Sequence, residues 1–284
     1  MKYVFEQAVD TQIAYYLTQE GKIIEKSSKP IRMSVPKLSL AGFSVEAGKV
    51  ITCLYPDESD FYSVGAKAAR LLSDKGMTTM LTSARATYHH EIKQSLKRMK
   101  HTLNNAAVDY LIGVTVAANR LTPEFVKECN RERVPFILFK VSRHDELLCL
   151  PWEWLREANY LFRLTFVPDF SDAASEKARK SLAKHWKALA VEKNIPYWTE
   201  LYDESSVPDI FLKKIGLYPV KGTLMSGSDT DYTLSFLNYD EIEAAVIRGR
   251  IVYLRSTGWM NKGIGKETKI RLPGRFGLGR PARV

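Results

Sequence analysis

The hydrophobic pattern divides the chain into three stretches that differ in predicted secondary structure. Residues 1 to 48 alternate short apolar segments with turn residues such as Gln19-Glu20-Gly21, which predicts β-strands joined by tight turns. From Val50 onward, short apolar runs are separated by amphipathic segments, which predicts alternating strands and helices. After Gly216 short strands and turns return, with a strand pair predicted around Arg248-Gly249-Arg250.

The middle stretch contains five predicted strands whose apolar runs are continuous. Continuous runs are typical of parallel strands that are covered by helices. Thr122-Pro123-Glu124 begins one helix, since it supplies an N-cap, a proline at the first helical position and an acid in the first turn. The strands are predicted at Val50–Leu54, Thr78–Thr82, Tyr110–Val116, Pro135–Val141 and Tyr160–Val167. Successive βα units indicate a doubly wound sheet or a barrel, and the local pattern does not choose between them.

The composition is that of an ordinary soluble protein. The chain is 45% hydrophobic and 26% charged, and no apolar run approaches the roughly 20 residues of a membrane helix. Cys53, Cys129 and Cys149 are too few and too scattered for a disulfide framework or a CxxC zinc site. We therefore expect a reduced, cytoplasmic protein with no membrane partner.

The net charge of +10 is concentrated near the carboxyl terminus. Residues 255 to 284 hold eight basic residues and one acidic residue. A glycine-rich basic tail can attract phosphate groups, but neither an aromatic platform nor a helix-turn-helix pattern accompanies it. Nucleic acid is therefore not the expected partner, although the tail keeps that alternative open.

Three short segments carry a resemblance to a known family. The segment 216 to 234 reads Gly-Leu-Tyr-Pro-Val-Lys-Gly-Thr-Leu-Met-Ser-Gly-Ser-Asp-Thr-Asp-Tyr-Thr-Leu. It closely resembles a late segment of dihydroorotase, hydantoinase and allantoinase-type amidohydrolases. The strand pair Val246–Tyr253 is similar to that family's closing strands, and Glu20-Gly21-Lys22-Ile23 is similar to its amino-terminal turn. The resemblance is collinear over about residues 12 to 254.

The resemblance implies a metal-dependent (β/α)₈ barrel beside a small β-sandwich. We expect residues 49–216 to form the barrel-like domain, and residues 1–48 with 217–284 to form the sandwich and a basic tail. About 160 positions separate Tyr55 from Leu217, whereas a complete barrel takes about 250 residues. The expected fold is therefore α/β, with an incomplete or shortened TIM-type barrel.

The resemblance also implies a metal site that begins with His-x-His on the first barrel strand. Cys53 and Tyr55 occupy those two positions here. Phe139-Lys140-Val141 is similar to the strand that carries the family's carbamylated lysine, and His144 follows it as the best-placed imidazole. Asp169 and Asp203 are predicted to be loop acids. We therefore expect no complete ligand set, and no metal or other cofactor.

Three functions remain open. The first is an amidohydrolase-like pseudoenzyme that binds a small molecule or a protein partner. A second copy of the chain is one candidate partner, because an incomplete barrel exposes strand edges. The second is a divergent hydrolase of cyclic amides or ureides that holds zinc with Asp57, Lys140 and His144. The third is an interaction protein that uses its basic tail on nucleic acid or an acidic partner.

Overall fold

The structure is a computed structural model that describes residues 2–9, 12–56 and 61–270. These residues form three sheets and seven α-helices. The strands are β1 (Lys2–Val9), β2 (Gln12–Gln19), β3 (Lys22–Ser27), β4 (Lys37–Ser39), β5 (Phe43–Ala47), β6 (Lys49–Cys53), β7 (Met77–Arg85), β8 (Asp109–Ala117), β9 (Phe136–Lys140), β10 (Thr165–Asp169), β11 (Tyr232–Phe236), β12 (Ile242–Ile247), β13 (Arg250–Leu254) and β14 (Trp259–Met260). The helices are α1 (Phe61–Lys75), α2 (Ile92–Thr102), α3 (Pro123–Arg131), α4 (His144–Leu148), α5 (Trp152–Ala158), α6 (Glu176–Glu192) and α7 (Asp209–Lys214).

The central sheet is parallel, and its strands follow the order of the chain from β6 to β10. A doubly wound sheet reverses its strand order at a switch point, whereas consecutive order is the winding of a barrel. The sequence left open whether the sheet is doubly wound or part of a barrel, and the strand order indicates a barrel. The fold is mixed α/β, with this curled parallel half-barrel beside two sheets that are mainly antiparallel.

The fifth parallel strand lies later in the chain than its apolar run predicts. Tyr160 belongs to the turn after α5, where Arg163 adopts a left-handed backbone with φ of 52°. The strand begins at Thr165 and continues to Asp169, which is therefore a buried strand residue and not a loop acid. This shift places a carboxylate at the end of a barrel strand.

A single segment, residues 196 to 207, covers both edges of the parallel sheet. The Phe166 amide of β10 donates to the Pro196 carbonyl at 2.9 Å, and the Thr52 amide of β6 donates to the Ser205 carbonyl at 3.0 Å. Helix α7 follows and fills the concave face. The interior cluster comprises Val50, Leu54, Leu81, Leu111, Phe136, Leu138, Val167, Leu201, Val207, Phe211, Leu212, Ile215 and Leu217. The edges expected to invite a partner chain are thus paired at these residues, and a homo-oligomer stays a prediction.

The concave face requires a glycine on β8. A Cβ at Gly113 would lie 2.4 Å from the ring of Phe136, whose side chain belongs to the interior cluster. Leu111 lies on the same side as Gly113, since alternate residues of a strand share one face, and Leu81 is its partner on the neighbouring strand. Met80 and Ile112, at the intervening positions, belong to the cluster under the helices.

The remaining two sheets combine both ends of the chain. One sheet has the order β3-β2-β1-β4, and the other has the order β14-β13-β12-β11-β5. Strand β5 pairs with β11, so amino- and carboxyl-terminal segments share one sheet, as the resemblance implied. Phe5 and Tyr16 of the first sheet meet Val45, Tyr232 and Val246 of the second in one apolar cluster. A separate sandwich domain with the expected boundaries stays a prediction.

The amino-terminal turn lies directly against the late segment. Glu20 and Gly21 close the β2–β3 hairpin with φ of 53° and 79°. A Cβ at Gly21 would approach the Arg248 carbonyl oxygen to 2.6 Å, so the close contact requires glycine. The Ile23 amide donates to the Ser228 carbonyl at 2.8 Å. Two of the segments that carry the family resemblance therefore bind each other.

Two expectations from the sequence concern the location of the protein and the role of its basic tail. Among the helices it describes, none combines the length and apolar character needed to cross a bilayer. A cytoplasmic location stays a prediction. Residues 271–284 of the basic tail lie outside the described residues, so a role for the tail in binding nucleic acid or an acidic partner also stays a prediction.

Candidate functional site

Three polar side chains meet at the carboxyl ends of the parallel strands. Tyr55 lies two residues beyond β6, Lys140 ends β9 and Asp169 ends β10. The Tyr55 hydroxyl donates to Asp169 Oδ2 at 2.5 Å, and Lys140 Nζ lies 3.9 Å from the same oxygen. The active sites of barrels lie at this face. We call Tyr55, Lys140 and Asp169 the strand-end cluster.

Lys140 faces the inside of the half-barrel. Phe136 and Leu138, its neighbours at alternate positions of β9, belong to the interior cluster. Its ammonium group lies 3.7 Å from Asp172 Oδ2 and 5.4 Å from the centre of the Tyr55 ring. It donates no hydrogen bond to any residue that the structure describes, and 34% of its side chain is exposed. Its N–H donors are therefore available to a ligand.

Both carboxylate oxygens of Asp169 accept hydrogen bonds from the protein. Oδ2 accepts from Tyr55, and Oδ1 accepts from the backbone amide of Ser171 at 2.9 Å. Burial, reinforced by the hydrogen bond to Asp169, raises the pKa of Tyr55. The phenol therefore stays protonated and remains a donor. The sequence signal that marks Asp169 is its position two residues after the apolar run that ends at Val167.

Two hydroxyl groups continue the polar lining on the neighbouring strands. Ser83 lies two residues beyond Leu81 on β7, and Thr115 lies four residues beyond Leu111 on β8, so both share the concave face. Thr115 Oγ1 donates to Ser83 Oγ at 2.7 Å, and Ser83 Oγ donates to the Leu54 carbonyl at 2.6 Å. These bonds fix the hydroxyls in place without a bound ion.

The residues at the family's metal positions do not fit a cation. Cys53 packs in the apolar cluster beneath the helices, on the opposite face of β6 from the interior. Burial raises the pKa of its thiol to about 11, which disfavours the thiolate that a metal requires. The Tyr55 hydroxyl is bonded to Asp169. The strand-end cluster thus offers a phenol, an ammonium group and one carboxylate where zinc needs imidazole, thiolate or free carboxylate.

The structure places His144, another proposed ligand, against helix α6. His144 is the first residue of α4, and its Nε2 lies 3.3 Å from Ser181 Oγ of α6. Its ring packs against that of His185 on the same helix, at 4.4 Å between centres. The placement of His144 as a ligand beside Lys140 is therefore not supported. Asp57 lies outside the described residues.

Asp203 belongs to the wall beside β6. Its Oδ1 accepts from the Leu54 amide at 2.8 Å, and its Oδ2 accepts from Lys67 Nζ at 2.9 Å. Both oxygens are therefore engaged in holding residues 202–205 against β6 and α1. This carboxylate stabilises the edge of the half-barrel, in agreement with its prediction as a loop acid.

A second polar cluster lies at the amino-terminal end of the same sheet. Asp109, Asp229 and Asp231 form the one group of three or more metal-type ligands that come together in the described part of the chain. Lys221 Nζ lies 2.5, 2.9 and 2.7 Å from their respective carboxylate oxygens. The ammonium group therefore occupies the position that a cation would take. We call these four residues the lysine cage.

The lysine cage is buried and connects distant parts of the chain. Burial alone would lower the pKa of Lys221, but the carboxylates of Asp231, Asp109 and Asp229 together raise it, so the lysine stays charged. Burial raises the pKa of Asp231 to about 6, against the effect of Lys221. The Arg248 amide donates to Asp231 Oδ1 at 2.7 Å. Sequence reasoning missed this cluster, because no local signal pairs Asp109 with residues of the late segment.

Comparison with known proteins establishes the fold. No family model and no curated protein match the sequence. The solved structure of dihydropyrimidinase from Brevibacillus agri NCHU1002 is similar with a TM-score of 0.69 and 12% identity, covering 99% of this chain and 100% of that chain. A D-hydantoinase structure has a TM-score of 0.70 at 10% identity, covering 96% and 100%, and an adenine deaminase has 0.55 at 14%, covering 89% and 99%. These structural neighbours are amidohydrolase-superfamily members, and at such identities the likeness shows the fold alone.

Proposed function

We propose that this chain, which has the fold of the amidohydrolase superfamily, binds a small molecule at the strand-end cluster without metal-dependent hydrolysis. The observation that carries this proposal is the hydrogen bond from Tyr55 to Asp169. It commits the carboxylate of the cluster to a protein donor, at the place where barrels of this kind carry out their chemistry.

The donor set argues for an acceptor ligand and against a cation. A hydrolytic metal needs several protein ligands with lone pairs and one open coordination position for water. Here both oxygens of Asp169 already accept hydrogen bonds, one of them from Tyr55, and Lys140 presents N–H groups. The N–H donors of Lys140, beside a satisfied carboxylate, attract oxygen atoms of a ligand, not a metal ion.

The exposed parts of the cluster indicate what kind of molecule fits. Lys140 has donors without a described hydrogen-bond partner, and Tyr55, 40% exposed, offers an aromatic face beside them. A small planar molecule with a carbonyl or carboxylate oxygen would use both features. Hydantoinase and dihydropyrimidinase are structural neighbours, so hydantoin and dihydrouracil are the first ligands to test.

Calorimetric titration of both compounds tests the proposal. We expect saturable binding that Lys140→Met abolishes and that Lys187→Met, a change of an exposed lysine on α6, leaves unchanged. The same mixtures, with and without added zinc, are then assayed for ring opening, and none is expected. Zinc-dependent ring opening that requires Lys140 would establish the hydrolase alternative instead. Absence of binding to the wild-type protein would contradict the choice of cyclic amides.

A further inference from the structure

An apolar groove of about 710 Å³ lies between the two sheets built from the chain ends. This volume falls within the range of about 300–1,000 Å³ that is typical of small-molecule sites. The groove shares no residue with the strand-end cluster. Its apolar walls include Leu38, Phe43, Phe236 and Ile251.

Several large side chains in this groove are exposed together. Leu38 is 44% exposed, Phe236 is 46% exposed and Ile251 is 50% exposed. Phe43 stacks on Phe236 with 5.0 Å between ring centres, which extends the apolar surface. Contiguous exposed apolar surface of this kind marks a binding site, because water solvates it poorly.

Most polar groups along the groove are already paired. The hydroxyls of Tyr3 and Tyr232 are hydrogen-bonded to each other. Glu243 lies 4.0 Å from Arg255. Lys37 at the edge of the groove has no ion-pair or hydrogen-bond partner for its ammonium group among the described residues. The groove therefore offers a ligand apolar walls and one free cation.

The combination of apolar walls and one lysine favours an amphipathic small molecule over an extended peptide. An extended peptide brings a backbone N–H and C=O with every residue, and each needs a partner when it is buried. The side chains of the groove walls are mostly apolar and offer such a backbone few partners. A molecule with a long apolar body and a single anionic group leaves no polar atom unpaired, because its one charged group can meet Lys37.

We propose that the apolar groove binds one long-chain carboxylate, with its alkyl chain along Phe43, Phe236 and Ile251 and its carboxylate at Lys37. Burial of the alkyl chain supplies most of the affinity. The exposed ion pair with Lys37 orients the ligand and adds a small contribution that salt weakens. This site is independent of the function proposed for the strand-end cluster.

Fluorescence titration with dansylamino-undecanoic acid tests the apolar walls. Ile251→Glu places a charge against the alkyl chain and should weaken binding by about tenfold or more. Ile24→Glu is the matched control, because Ile24 is a strand isoleucine with nearly the same exposure, 52% against 50%, and lies outside the groove. It should bind the probe like the wild-type protein.

The charged end of the ligand is tested separately. Lys37→Glu should weaken binding of the acid by about fivefold at low salt, whereas Lys29→Glu, a change of an exposed lysine outside the groove, should not. The methyl ester of the probe lacks the carboxylate. It should bind more weakly than the acid and should not respond to Lys37→Glu.

Any of four results would overturn the proposal. The first is equal binding of the acid by Ile251→Glu and Ile24→Glu, and the second is saturation only where the probe itself aggregates. The third is a wild-type dimer in sedimentation velocity that Ile251→Glu dissociates, which would assign the groove to a second copy of the chain. The fourth is equal binding of the acid by the wild type and Lys37→Glu, which would contradict a carboxylate at Lys37.

Discussion

The Tyr55 hydroxyl donates a 2.5 Å hydrogen bond to Oδ2 of Asp169, and this bond joins the two outer strands of the parallel sheet at their carboxyl ends. Tyr55 follows β6 and Asp169 ends β10, so the five strands curl far enough for one tyrosine to span the opening. Metal-dependent barrels hold their cations at this face. In this chain two side chains, Tyr55 and Asp169, bind each other there.

Removing this bond should destabilise the protein. Tyr55→Phe leaves the buried Asp169 carboxylate without its donor, and we expect the free energy of unfolding to fall by about 1–3 kcal/mol. Urea denaturation measures the change. Tyr239→Phe is the control, because Tyr239 is 67% exposed, and its unfolding free energy should stay within about 0.5 kcal/mol of wild type. Equal stability of the two variants would show that the bond does not form in solution.

The lysine cage should contribute more to stability than the strand-end bond does. Lys221→Met removes the ammonium group that contacts three carboxylates, two of them buried, and we expect a loss of about 3–5 kcal/mol in unfolding free energy. Lys187→Met replaces an exposed lysine on α6 and should change stability by less than about 0.5 kcal/mol. A Lys221→Met variant as stable as this control would refute the structural role of the cage.

Asp231 should make stability depend on pH in a defined direction. Burial raises its pKa in the folded protein to about 6 from an ordinary value of 3.8. The folded protein therefore binds this proton more tightly than the unfolded chain does, and the associated stability is complete below about pH 4 and lost as pH rises through 6. The stability of wild type relative to Asp231→Asn should fall by about 2–3 kcal/mol over this range. Urea denaturation across pH 4–7 measures it, and an increase with pH would contradict the raised pKa.

The three cysteines should differ sharply in reactivity. Cys149 is exposed, whereas Cys53 and Cys129 are buried. Burial raises the pKa of the Cys53 thiol to about 11 and that of Cys129 well above its ordinary value. In the native protein one thiol should react rapidly with a disulfide reagent at pH 8, and Cys149→Ser should remove it. Rapid reaction of a second thiol would show that β6 or α3 is less well packed than described.

The late segment predicted the fold because its residues build the scaffold. Leu217 lies in the interior cluster, Lys221 forms the cage, and Gly222 adopts φ of 81° where a Cβ would lie 2.9 Å from Leu212. All of these contacts hold the amino-terminal end of the sheet and its surroundings, away from the strand-end cluster. Residues 216 to 234 therefore carried information about architecture and none about chemistry.

The site itself was only partly predictable. Lys140 was a candidate because strand periodicity and the Phe-Lys-Val motif agree. Asp169 was predicted to be a loop acid because the apolar run suggested a strand ending at Val167, whereas pairing with β9 sets the true end. His144 was misplaced because Glu146 accepts from the Ser142 amide at 2.8 Å, which begins α4 immediately after β9 and directs the histidine toward α6. The end of β10 and the direction of His144 both depend on contacts with residues distant in the sequence, which a local sequence pattern does not reveal.

The local sequence pattern also did not predict how the edges of the half-barrel are covered. Residues 196–198 pair with β10, and residues 204–207 pair with β6, through single bridges and not through regular strands. A segment of this kind has neither alternating nor continuous apolar character. Its place is set by the two edges that it covers.

The central claim is that the strand-end cluster does not hold a metal ion. The zinc content of the protein after incubation with zinc tests this claim most directly. The purified protein is incubated with excess zinc and bicarbonate, desalted, and analysed for metal per chain, beside Lys140→Ala. The strand-end cluster presents donors and a satisfied carboxylate, so we expect well below one zinc per chain for the wild type, and the same value for the variant. One or two zinc ions per chain, lost in Lys140→Ala, would contradict the account.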